Sequence, residues 1–219
     1  THIDEIRTLR VAVVPGLGCA TVGPESEELI RAAAEELIAV TGMQRVDIDL
    51  RLPNIMGAWG LTGTVGTRKS LGDLWPDCGA DITGAMRVGI ERAEANFDLN
   101  TMVKAETRRV ELNTAMAAMF ADADIVLAAT NPATAFNAEG HLPSTFEGVE
   151  ARSSNNGALT APSNIFGNPA AALPVGLASD GLPVSLQILA PHYREDLLLD
   201  LGRAWERHRP WPLLAPLTN

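Results

Sequence analysis

Apolar residues along this chain recur with two different periods, and the switching between them predicts an α/β protein. Leu9 to Val14 is an aliphatic run stopped by Pro15 and Gly16, as expected of a strand buried on both faces. Pro24 with Glu25, Glu27 and Glu28 then makes a favoured first helical turn, placing negative charge at the positive end of the helix dipole. Leu29, Ala33, Leu37 and Val40 share one helical face, and Gly42 supplies a left-handed stop. Val46, Ile48 and Leu50 next alternate with polar residues like a half-exposed strand. Strand, helix, strand is the grammar of a βαβ unit.

The stretch from Pro53 to Gly84 is rich in Gly and Trp and weakly periodic, which predicts a loose helix near 54–64 followed by a loop. Periodicity returns at Asp98, a helix cap. Leu99, Met102, Val103, Val110, Met116, Met119 and Phe120 then mark the broad apolar face of a long helix ending near Ala121, with the methionines read as core. Ile125 to Ala129 is apolar throughout and reads as a strand, broken by Thr130, Asn131 and Pro132. Residues 133–156 have no clear period, and irregular segments of that length in a compact domain usually carry function, here as the rim of a pocket. Apolar runs on both sides of Asp180-Gly181, from Val175 to Leu189, predict a hairpin. Glu195 to His208 closes the chain as a helix, burying Leu197, Leu198, Leu201 and Trp205 and ending before Pro210 and Pro212.

Composition narrows the function. With 219 residues, 46% of them hydrophobic and 20% charged, the chain suits one soluble folded domain over residues 1–219. A net charge of −10 opposes binding to nucleic acid, which draws on clustered Lys and Arg. Nothing has the length of a signal peptide or a membrane helix, so no membrane partner is expected. Cys19 and Cys78 are far apart and lack neighbouring histidines, so neither disulfide nor zinc is expected, and a reducing cytoplasm fits. The chain begins with Thr1, not Met, which hints at a piece of a longer protein.

Candidate chemistry is sparse. An activated Ser or Cys needs a base within reach and an oxyanion hole, and no motif offers both. Ser153 and Ser154 precede Asn155-Asn156-Gly157 and read as a turn. Lys69, in a polar loop, and Lys104, on the long helix, are the only lysines, and both read as solvated. His2, His141, His192 and His208 are scattered without metal-ligand spacing, so each reads as structural or exposed and no metal is expected. Asp122 and Asp124 read as capping acids before a strand, and Gly16 to Gly18 lacks the third glycine and the lysine of a phosphate cradle.

The most informative run is Thr160-Ala-Pro-Ser-Asn-Ile-Phe-Gly-Asn-Pro-Ala-Ala-Ala-Leu-Pro-Val-Gly176, continued by Asp180-Gly-Leu-Pro-Val-Ser-Leu-Gln187, Pro191 and Glu195-Asp-x-x-Leu199. In order and type these closely resemble the late segment of amidase-signature hydrolases. Phe120, Asp124 and Thr130-Asn-Pro132, and the opening Leu9 to Val13 with the helix after Pro24, resemble the elements that precede it. The resemblance implies an α/β chain with a mixed β-sheet flanked by helices, forming the carboxyl-terminal half of an amidase. It also implies hydrolysis through a Lys and two Ser in a Gly-Ser-rich stretch that this sequence lacks, so no catalytic residue is carried over and no cofactor is expected. The implied partners are a small amide substrate and an amino-terminal half on the same or a separate chain, with self-association of the isolated chain. Because α/β sites sit beyond strand ends, Thr130 and Asn131 and the turn of Asn164, Phe166, Gly167 and Asn168 are the substrate-binding candidates. Asn164 and Gly167 equally suit a purely structural tight turn. The alternatives are a non-catalytic binding module and the glutaminase-type subunit of a transfer-RNA amidotransferase. That subunit resembles this chain but carries a substrate-binding Asp where Gly157 stands here.

Overall fold

The computed structural model describes residues 3–212. A short helix α1 (Ile3–Ile6) leads into β1 (Arg10–Val13), α2 (Pro24–Thr41) and β2 (Gln44–Arg45). Three helices follow, α3 (Met56–Leu71), α4 (Gly84–Asn96) and α5 (Leu99–Asp122). Then come β3 (Ile125–Ala129), a small hairpin of β4 (Thr145–Phe146) and β5 (Val149–Glu150), and a tight helical turn at Ser153–Gly157. The chain finishes with α6 (Ala161–Phe166), β6 (Ala170–Leu177), β7 (Pro183–Leu189) and α7 (Glu195–His208).

The main sheet has the order β2-β1-β3-β7-β6. β1 runs parallel to β2 and β3, whereas β7 is antiparallel to β3 and β6, so the sheet is mixed and changes sense at β3. All five residues of β3 are fully buried, which is why the run is apolar without alternation. On β7 the alternation of side chains sends Leu186 and Ile188 to one face and Gln187 to the other, where its amide donates to the Leu159 carbonyl. α2 and α7 pack on each other and across β6 and β7. Trp205 of α7 is fully buried, and its indole donates to the Pro174 carbonyl at 2.9 Å. No helix among the described residues is long and apolar enough to cross a membrane.

Several expectations need correction. β2 is only Gln44–Arg45, because Val46 pairs back to β1 and the chain beyond it leaves the sheet. The α2 face toward the core is Ile30, Ala33, Ala34 and Leu37, with Val40 41% exposed. α3 runs on to Leu71, so Lys69 lies in a helical turn, and α4 begins at Gly84, where the expected loop ended, over a stretch for which no element was expected. Of the expected stripe on α5 only Met116 and Met119 are buried, joined by Leu112, which the stripe did not include. Leu99, Met102, Val103 and Val110 are all exposed. Helical period therefore reveals the helix there but not its burial. The expectation for His2 lies outside the described residues.

A charged pair fixes the seam of the sheet. Asp124, just before β3, accepts bonds from the Arg10 backbone amide at 2.8 Å and from the Nε and Nη2 of its guanidinium at 3.1 and 2.9 Å. The acid expected to cap a turn thus clamps β1 to β3 instead. The Arg10 side-chain bonds hold the Asp124 carboxyl below its ordinary range. A depressed carboxylate stabilises the fold above its unfolded value of about 3.9, and the contribution is lost as pH falls through the lower folded value. Asp124→Asn is expected to lower the melting temperature by roughly 2–4 °C at pH 7. The gap to wild type should close toward pH 3, and a gap independent of pH in calorimetry would contradict the clamp.

Candidate functional site

The candidate residues fall into two groups at opposite ends of the sheet. Thr130 follows β3, and its amide donates to the Ser185 carbonyl at 3.3 Å. Asn168 sits at the other end of β7, where its side-chain amide donates to the Ala190 carbonyl. Five residues of strand separate Ser185 from Ala190, about 17 Å at the usual rise. Thr130 and Asn131 therefore do not share one pocket with the 164–168 turn.

Asn131 lines a groove of 770 Å³ between the segment after β3 and the start of the β6–β7 hairpin, together with Thr134, Phe136, Phe146, Pro174 and Ser185. That segment, expected as an irregular rim, is stapled at several points. The Pro132 carbonyl accepts from Gly23, and the Thr134 hydroxyl donates to Asp180 in the hairpin turn. The strongest staple was not legible in the sequence. The Glu147 carboxylate accepts from the backbone amides of Glu25 and Ser26 and from the Ser26 hydroxyl, at 2.7, 3.1 and 2.5 Å. It supplies the cap that Gly23 cannot, at the positive end of α2. A Cβ at Gly23 would lie 2.4 Å from the Glu147 carboxyl carbon, so a side chain there would displace the capping carboxylate. Glu147 adopts φ 50 to reach this position.

The second group surrounds α6. Gly167 ends the helix at φ 84, and its amide donates to the Ser163 carbonyl. Phe166 stacks on Phe120 and meets the His192 ring at a tilt of 56°, and its carbonyl lies 2.9 Å from the His192 ring nitrogen. Gly167 and Asn168 thus lie in the turn that ends α6, a geometry that fits the structural of the two roles expected of Gly167. Asn164 differs. Exposed, and donating to the Thr160 carbonyl, it lines a cavity of 340 Å³ where α3, α5 and α6 meet. Just before α6, Asn155 is buried and exchanges two bonds with the Thr21 backbone, at 2.9 and 2.8 Å. This pairing ties the turn after β1 to the turn before α6. Gly157 stands against α3, where a Cβ would lie 2.9 Å from the Met56 methyl.

None of these groups assembles a nucleophile. Ser26 meets a carboxylate but is fully buried beneath the α2 cap. The Ser179 hydroxyl donates to Glu25 in the exposed hairpin turn, and among the described residues no histidine or lysine is bonded to either. Ser153 and Ser154 lie in the turn before α6, and among the described residues no hydrogen bond joins them to a base. The glycines after β1 are closed rather than open to a phosphate, since a Cβ at Gly18 would lie 2.1 Å from the Leu50 carbonyl oxygen. Burial pushes the Cys19 thiol up to about 11, and its sulfur faces the Ala158 carbonyl at 3.7 Å.

At pH 8 Cys19 is therefore almost wholly protonated. Its alkylation by iodoacetamide is expected to run roughly 100-fold slower than that of an unperturbed thiol. Peptide mass spectrometry over a time course reads this directly, and equal rates at Cys19 and Cys78 would contradict the burial.

Comparison with known proteins agrees with this architecture. The family model described as Amidase matches residues 3–199. Over 59 residues the chain is 46% identical to the 6-aminohexanoate-cyclic-dimer hydrolase of Pseudomonas sp. (strain NK87), a match covering 27% of this chain and 12% of that protein. Over 138 residues it is 29% identical to a glutamyl-tRNA(Gln) amidotransferase subunit from Trichormus variabilis, covering 63% of this chain and 27% of the relative. The crystal structure of a bacterial aryl acylamidase of the amidase signature enzymes superposes with a TM-score of 0.78 at 24% identity, over 95% of this chain and 45% of that one. The likeness at that identity is one of fold. The chain thus spans less than half of the solved structure it matches. With the family model covering most of its length and the mixed sheet in common, the chain belongs to the amidase family.

Proposed function

We propose that this chain is the carboxyl-terminal, substrate-side half of an enzyme that hydrolyses the amide bond of a small molecule, and that it is inactive alone. The reactive serines and lysine belong, on this reading, to an amino-terminal half on the same or a separate chain. One observation carries it: among the described residues no accessible serine or cysteine is bonded to a histidine or lysine, in a chain whose family acts on amides. Hydroxyls and carboxylates that could have done chemistry act as helix caps and turn staples instead. No step here needs a metal or cofactor.

A role in transfer-RNA amidation draws support from the similarity to the amidotransferase, but Gly157 weighs against it. A side chain at 157 would have to move the Met56 methyl, which lies 2.9 Å from where its Cβ would stand. A non-catalytic binding module would keep the same wall, and the coding sequence upstream of Thr1 separates it from the enzyme. A Gly-Ser-rich run preceded by a lysine favours the enzyme.

The purified 219-residue chain is expected to release no p-nitroaniline from p-nitroacetanilide above the buffer rate. Turnover that disappears in Ser153→Ala or Ser154→Ala would overturn the proposal. The first half of α5 exposes Leu99, Val103 and Val110, at 78%, 55% and 56%, which is unusual for a helix of a finished domain. The isolated chain is accordingly expected to self-associate as concentration rises in light scattering. A strictly monomeric profile would count against a missing partner half.

A further inference from the structure

The cavity at the meeting of α3, α5 and α6 has a wall chemistry that narrows what it can hold. Ala58, Trp59 and Val65 of α3, Phe97, Met102 of α5 and Ile165 of α6 line it. Of these, Ala58 and Ile165 also pack against the core, whereas the other four do not. α3 buries none of its side chains, and Trp59, Val65, Phe97 and Met102 remain 39%, 46%, 45% and 42% exposed around the opening. Apolar groups on three elements thus converge on one concave surface without filling it, as in a ligand pocket and unlike the second half of α5, which joins the core.

The polar groups at the cavity are few. Glu106 and Arg109 sit three residues apart on α5 and bond to each other at 2.6 and 2.9 Å, so their charges cancel locally. Thr62 contributes its hydroxyl to the preceding helical turn, donating to Ala58. Asn164 offers a neutral amide at the edge. Among the described residues no lysine, histidine or further carboxylate lines the cavity. A zwitterion such as a free amino acid would surrender hydration to a wall with no unpaired countercharge, which is unfavourable on general grounds. At about 30 Å³ for each water-sized group, 340 Å³ holds roughly eleven such groups. That is the size of a substituted aromatic ring or a medium alkyl chain.

The cavity also adjoins the part of the chain assigned to the substrate. α6 forms its floor, and the turn before α6 packs on α3 through Gly157 and Met56. We infer that this cavity receives an uncharged apolar group, aryl or alkyl, of the amide substrate. The inference rests on the proposed function for the identity of the ligand as an amide; the apolar selectivity rests on the wall alone.

Methyl-detected carbon NMR on the 219-residue chain tests it, with acetanilide and hexanamide as probes and L-glutamine as the charged comparison. Saturable shifts are expected at the methyls of Val65, Met102 and Ile165 with the two apolar amides, and none with glutamine. Ala58→Trp, which fills the cavity from a partly exposed helix position, should abolish those shifts. Should that variant not fold, Val65→Gln should weaken them at least severalfold. Unmoved methyls, equal shifts with glutamine, or shifts unchanged in the filled variant would overturn the inference. Hydrolysis of acetanilide by the isolated chain would instead sink the reading of an incomplete enzyme and leave the cavity assignment standing.

Discussion

The burial of β3 constrains everything else in this structure. Its five residues lie between a parallel neighbour and an antiparallel one, with no side chain reaching solvent. A strand so placed cannot carry polar groups of its own, so it must be fixed in register from its ends. At one end the Arg10–Asp124 pair joins it to β1, and at the other the Thr130 amide continues the ladder to Ser185. Two seams of opposite sense meet there, and the concave surfaces of the chain lie around the connections that leave them.

Many hydroxyls and acids among the described residues are engaged in holding loops. Glu147 reaches back more than a hundred residues to cap α2, Glu25 receives the hairpin turn at Ser179, and Asp180 in that turn takes the Thr134 hydroxyl. Together with the double bond of Asn155 to the Thr21 backbone, these contacts give the long segment after β3 a defined course. A segment held in that way suits the wall of a pocket, since its shape does not have to be established anew on ligand binding.

How far the sequence could be read depended on whether the signal was local. β3, the hairpin about Asp180-Gly181 and α7 with its buried Leu197, Leu198, Leu201 and Trp205 were legible because strand run, turn chemistry and helical period agree there. α3 was expected only as a loose helix near 54–64, because its glycines erase the period and none of its residues is fully buried, and the apolar cavity beside it gave no signal. Val103 and Val110 keep helical spacing while facing outward, so periodicity alone overstated the α5 core. For the site, Asn164 lies at a concavity, whereas Gly167 and Asn168 build a turn at the far end of the sheet from Thr130. Glu147 and Asn155 gave no signal at all, because their partners are distant in sequence and neither lies in a motif.

The fold and the family establish an amidase lineage, and the part proposed for this chain is recognition, not bond cleavage. A fluorophosphonate probe, which reacts with activated serines and spares ordinary ones, distinguishes these directly. After incubation with excess probe, intact-mass spectrometry of the 219-residue chain should show the unmodified mass. A stoichiometric single adduct mapped to any serine of this chain would mean that the nucleophile is here after all.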